Sequence, residues 1–206
     1  MAGVGRRQVL LGLGGVLAPQ SALAQPGEAD AELSFPHKVA AGAELRAKRF
    51  EIYDPAYVKL AYPGGDVADD RGVCTDTVIR AFRHAGVDLQ VEVHEDMRAS
   101  FAAYPKMWGL TKPDRNIDHR RVPNLETLFR RTGGSRTLSK VAADYRAGDI
   151  VSWRLTGNGL PHIGVVTRKV RAGQPLIAHN IGAGTREEPC LFDWPMSGWF
   201  RFDSWD

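Results

Sequence analysis

Cysteine is scarce in this chain: 206 residues hold only Cys74 and Cys190. A framework of several disulfides is therefore excluded, and at most one bridge is available in an oxidising compartment. Excess charge is also lacking. The formal net charge is +3, and Arg6 and Arg7 supply part of it, so the sequence carries no nucleic-acid footprint. The apolar run over residues 9–18 is too short, and too interrupted by Gly12, Gly14 and Gly15, to hold the chain stably in a bilayer. Internal repeats and low-complexity blocks are absent. Asp114, Asn116 and Asp118 start like a calcium loop, but His119 stands where glycine is needed and Leu125 where glutamate is needed. His94-Glu95-Asp96 and Asp118-His119 lack a recognised ligand spacing. No metal and no cofactor is expected.

What is present begins with an export signal. Arg6-Arg7, the apolar run and Ala22-Leu23-Ala24 have the order of a secretory signal peptide. Arg6-Arg7-Gln8-Val9-Leu10 also resembles a twin-arginine signal, the alternative being an ordinary Sec leader. Residues 1–24 are thus expected to be removed, and the protein to be periplasmic or secreted. No cysteine near the cleavage site offers a lipid anchor. Residues 25–38 read as a polar, proline-bearing linker, and 39–206 as one domain with a substantial core.

Along that domain, good helix formers predict a helix over 40–53, with Leu45, Phe50 and Tyr53 inward, and a short one after Asp54-Pro55. Pro63-Gly64-Gly65 breaks the pattern. A helix from Cys74 to Ala85 carries Val78, Ile79, Phe82 and Ala85 at buried-face spacing and ends before Gly86. Residues 87–91 suggest an edge strand, 94–104 a helix, 112–121 a charged loop, and Pro123 the opening of a helix with Leu125, Leu128 and Phe129 inside. From Asp149 the character changes to short strands at 149–153, 162–167, 175–179, 190–192 and 199–202. Helices first and antiparallel strands second is an α+β layout.

The chemistry centres on Cys74. A thiol in a helix's first turn sees unpaired N–H groups and the positive dipole end, which predicts a depressed pKa. A thiol hydrolase also needs an imidazole base and a group to orient it. His162, opening an apolar strand, is the candidate base. His179 on the next strand is the candidate orienter, with Asn180 beside it as competitor, since neighbouring antiparallel strands bring residues to within about 5 Å. The Cys74 N–H and a side chain from the preceding loop would form the oxyanion side. Asp76, Arg71 and Arg120 are candidate substrate-binding residues, the arginines suiting carboxylates by forked hydrogen bonds. Each residue has a plainer reading as well: Cys74 as a small buried hydrophobe, His162 as a core histidine, the arginines as structural pairs.

Val73-Cys74-Thr75-Asp76, Gly148-Asp149-Ile150-Val151, His162-Ile163-Gly164-Val165-Val166 and Ile177-Ala178-His179 resemble the blocks of NlpC-type, papain-like cell-wall cysteine peptidases. The order of the blocks is the more specific part. More closely, the mature chain resembles the secreted bacterial proteins of domain-of-unknown-function family 1287. The superfamily resemblance implies a papain-like fold, with the nucleophile helix packed on a C-terminal antiparallel sheet. It also implies a Cys74–His162–His179 (or Asn180) triad and a peptidoglycan or peptide substrate. Tyr62-Pro-Gly-Gly65 resembles the family's lead-in, which implies that Tyr62 lines the oxyanion side. The sequence departs from the family at Val73-Cys74-Thr75-Asp76, where Asp-Cys-Ser-Gly is usual, and in the long segment between cysteine and base. Two other readings stay open: an acyltransferase with the same dyad, and a non-catalytic wall-binding domain with a Cys74–Cys190 disulfide. Oligomeric state is left open.

Overall fold

The computed structural model describes residue 1 and residues 33–205. The expected signal peptide and most of the linker lie outside the described residues. Among the described residues no helix is long and apolar enough to cross a membrane.

Helix α1, Phe35–Arg46, opens with Pro36 in its first turn, where a missing N–H costs nothing. Its buried residues are mostly small, and Gly42 is the point of closest approach to the next helix. A Cβ at Gly42 would meet His84 Cβ at 2.7 Å and Ala81 Cα at 3.0 Å. That next helix is α2, Cys74–His84, whose Val78, Ile79 and Phe82 are buried at helical spacing. Asp76 Oδ2 accepts the Val73 N–H at 2.7 Å and so closes the first turn of α2. Helices α3, Leu89–Ser100, and α4, Val122–Arg131, complete the helical layer. Between α1 and α2, β1 (Ile52–Tyr53) and β2 (Arg71–Gly72) form a short parallel pair.

The C-terminal half is an antiparallel sheet of β3 (Ile150–Arg154), β4 (Pro161–Arg171), β5 (Gln174–His179), β6 (Arg186–Glu188) and β7 (Met196–Phe200). The spatial order is β6-β5-β4-β3-β7. The fold is α+β, as the order of elements in the sequence implies. Side chains alternate across the strands. Ile150, Ile163, Val165, Ala178 and Phe200 face the helices and share one core with Cys74, Val78, Phe82, Leu125 and Phe129. Val151, Trp153, Val166, Ile177 and Trp199 share a second core with Tyr145, Cys190 and Leu191 on the other face. Burial on both faces explains why the strands read as continuous apolar runs.

Four local expectations are corrected. The first helix begins at Phe35, inside the segment read as linker, and ends at Arg46, because Pro36 is a helix starter here. Residues 54–61 form no helix; Leu60 N–H donates to Asn116 Oδ1 and the Ala56 carbonyl accepts from Arg120 instead. Residues 87–91 hold no edge strand, since Asp88 caps α3 by accepting the Gln90 N–H at 3.0 Å. Residues 190–192 are a turn, and the edge strand is the polar segment β6 just before them.

Glu51 joins these parts. Its side chain is 0% exposed. Oε1 accepts from Arg46 at 2.9 Å and Arg80 at 2.6 Å, while Oε2 accepts from Asn180 Nδ2 at 3.1 Å and from the Thr185 hydroxyl. One carboxylate thus ties α1, α2 and the end of β5 together. Removing one partner of a buried pair leaves charge uncompensated and costs about 3–5 kcal/mol. Glu51→Ala is therefore expected to lose that much stability in urea unfolding, and a loss well under 1 kcal/mol would remove this role.

Candidate active site

Cys74 begins α2 and points into the sheet, where the Ile163 backbone N–H favours its thiolate. Strand register explains why this amide is available. Val166 N–H is bonded to Asp149 O. By alternation the amides of Ile163 and Val165 turn toward β5. Val165 pairs with Ala178, which places Asn180 opposite Ile163, and β5 ends one residue earlier at His179. β5 therefore leaves the Ile163 amide unpaired on the side where the thiol lies. Ile163 shares the helix-side core with Cys74, whereas His162, paired with Trp153, turns to the other face of the sheet.

His162 is buried, and its ring stacks on Trp153, its register partner on β3, at 5.7 Å between centroids. Trp194 meets both histidines edge-on. His162 Nε2 and His179 Nδ1 are hydrogen-bonded at 2.9 Å. The far nitrogen of His179, Nε2, contacts Glu188 Oε2 at 3.1 Å and Cys190 Sγ at 3.3 Å. The two histidines are thus brought together. Among the described residues no hydrogen bond joins Cys74 Sγ to His162. Asn180 is directed elsewhere: its Nδ2 donates to Glu51 and to the Gly72 carbonyl, and its Oδ1 accepts the Gly182 N–H. Both cysteines are free thiols, so the disulfide of the binding-domain alternative is not formed. Cys190 belongs to the histidine chain instead.

The electrostatics differ from the depressed thiol pKa read from the helix start. Burial pushes the Cys74 thiol up to about 12, and the Asp76 carboxylate adds to the rise. The N–H groups of Ile163, Thr75 and Cys74 itself pull the other way without prevailing. Helix-start amides favour a thiolate, but here desolvation costs more than they return. His162 is lowered to about 3, first by burial and then by His179. His179 is also lowered by burial, with Glu188 opposing the shift. Thiol and imidazoles each rest neutral.

Tyr62 packs on α3: its hydroxyl donates to Glu95 Oε1 at 2.8 Å, and its ring meets His94 edge-on at 5.1 Å. The phenol within electrostatic reach of Cys74 is Tyr53, whose pKa is raised by burial first and by Cys74 and Asp76 next. Asp76 and Arg120 are bound to each other through two hydrogen bonds of 2.9 Å, both side chains 2% exposed. Arg120 also donates to the carbonyls of Ala56 and Asp54. Both groups are committed to fixing the 54–56 segment beside the start of α2. Arg71 is half-exposed and pairs with Asp54 at 3.1 Å. A cavity of about 400 Å³ lies beside Pro161, lined among others by Met107, Pro123, Glu126, Arg130 and Arg154, and not by Cys74. Arg154 pairs with Pro161, one step along the ladder from Trp153 and His162.

Sequence reasoning missed Tyr53, Glu188 and Trp194. Tyr53 had been placed on a helix that ends before it, and Glu188 lies on an edge strand with no apolar pattern to reveal it. Trp194 carries no local motif.

Residues 40–202 match the family model described as a domain of unknown function, DUF1287. The chain belongs to this family. The DUF1287 chain is 59% identical over 165 residues to the uncharacterized protein YijF of Escherichia coli (strain K12), covering 80% of each. Among solved structures it is similar to NlpC1 from Trichomonas vaginalis, with 15% identity, a TM-score of 0.44, and coverage of 89% of this chain and 48% of that one. It is likewise similar to NlpC2 from the same organism, with 12% identity, a TM-score of 0.41, and coverage of 89% and 50%. The chain spans about half the length of each NlpC protein.

The buried histidines set an acid limit. His162 is lowered to about 3, and His119 to about 4, chiefly by burial. The unfolded chain would protonate them near 6.5. Their contribution to stability is full above pH 6.5 and is lost as pH falls through the window down to about 4 and 3. The urea midpoint is therefore expected to drop steadily from pH 6.5 to pH 4. A flat profile over that range would contradict neutral burial of these rings.

Proposed function

We propose that this protein is an exported, thiol-dependent hydrolase that cleaves amide bonds, with the peptide stems of peptidoglycan as substrate class. The observation that supports the reading is a cysteine at the start of a helix packed on the strand that carries His162, whose Nε2 is held by His179. The hydrogen bond to His179 engages Nε2 and leaves Nδ1 as the nitrogen free to serve as base. A neutral thiol and a neutral imidazole suit general-base attack, in which the proton moves as the bond forms.

In that sequence of steps the Cys74 Sγ–H proton passes through a water to His162 Nδ1 while Sγ adds to the amide carbon. The oxyanion is stabilised by the Cys74 N–H at the start of α2. His162 returns the proton to the departing amine, and the acyl group stays on Cys74 as a thioester. Water, deprotonated by His162, then releases the acid and restores the thiol. Export through the leader over residues 1–24 would bring the enzyme to its substrate.

Cys74→Ala is expected to abolish release of stem-peptide fragments from purified cell wall while circular dichroism stays unchanged. His162→Ala is expected to lower the rate by about 10²–10⁴, the usual worth of a general base. Fragment release by Cys74→Ala at the parental rate would sink the proposal.

A further inference from the structure

Beyond the pair of histidines lie two groups that the reaction scheme leaves unused, Glu188 and Cys190. Both contact one atom, His179 Nε2, at 3.1 Å and 3.3 Å. They make opposite demands on it. A carboxylate only accepts, so Glu188 needs a proton on Nε2. A thiol can donate, and a donating Cys190 would need Nε2 bare.

We propose that Glu188 is a positioning residue that sets the tautomer of His162 through His179, and that Cys190 is its built-in competitor. This rests on the reading of His162 as the base. With Nε2–H of His179 donated to Glu188, His179 Nδ1 is bare and accepts. At 2.9 Å it then takes the Nε2–H of His162, which leaves His162 Nδ1 bare as the base. Each neutral imidazole carries one proton, so fixing one end of the chain fixes the other. If Cys190 donates instead, His179 holds its proton on Nδ1 and donates it to His162 Nε2. His162 then carries its proton on Nδ1 and cannot accept another there while neutral.

Burial makes the choice matter. The two histidines are 3% and 1% exposed, with Trp153 and Trp194 packed on the rings. In the misplaced tautomer His179 Nε2 and Glu188 Oε2 face each other at 3.1 Å as two acceptors. The Glu188 side chain is 44% exposed, and β6 holds it in place by pairing Ile177 with Glu188 and His179 with Arg186. The half-exposed carboxylate thus governs a nitrogen two rings away.

The test reads protonation directly, by long-range nitrogen–proton NMR on the full chain with ¹⁵N-labelled, residue-assigned histidines. The parent protein is expected to show His162 and His179 both protonated on Nε2, with His162 Nδ1 bare. Cys190→Ala is expected to keep that pattern. Glu188→Ala is expected to lose the bare Nδ1 signal of His162 and gain a protonated one, and Glu188→Ala with Cys190→Ala to show a mixture of tautomers. A parent spectrum with His162 protonated on Nδ1 would overturn the proposal even if no variant folded. So would a Glu188→Ala spectrum identical to the parent's. In the cleavage assay Glu188→Ala is expected to lower kcat with KM unmoved. The spectra stand apart from catalysis: inactivity of the parent protein, or full activity of Cys74→Ala, would remove the hydrolase reading and leave the tautomer result intact.

Discussion

The buried Glu51 carboxylate is the constraint on which the rest of the structure depends. It accepts from arginines on α1 and α2 and from Asn180 and Thr185 beyond the end of β5. A charge without solvent has to be answered by several donors at fixed positions. Meeting that demand fixes α2, which Cys74 opens, relative to the end of β5. Asp76 and Arg120 repeat the arrangement one turn into α2, pinning the segment over residues 54–56 beside it. The polar network around the thiol is scaffolding.

Burial also governs the chemistry of the site. The helix start supplies N–H groups that favour a thiolate, yet the thiol rests neutral because the sheet and helix exclude water from it. The imidazoles rest neutral for the same reason. The carboxylates nearby, Glu188 at His179 and Asp76 at Cys74, act on neutral rings and a neutral thiol.

The helix that Cys74 opens and the meeting of two histidines were legible in the sequence. The spacing of Val78, Ile79 and Phe82 announced α2 with Cys74 at its start. The strand patterns placed His162 and His179 on neighbouring strands, and the structure joins them by a hydrogen bond. Other parts were misread because their signals are not local. Residues 35–38 read as linker and open a helix, with Pro36 in its first turn. Tyr62 resembled a wall of the site and packs on α3, while Tyr53 was assigned to a helix that stops at Arg46. The edge strand β6 escaped notice because an exposed edge tolerates the polar run Arg186–Glu188.

The sequence by itself determined the order of helices and strands, the helix-start cysteine and the two histidines, since periodicity and motif spacing are properties of neighbouring residues. Tertiary structure decided the rest. Whether the two cysteines pair, which polar residue meets His162, and which charges are already answered all depend on contacts between residues far apart in the chain. The same holds for the state of the thiol. A helix start lowers a pKa and burial raises it, and only packing fixes how much water is left to decide between them.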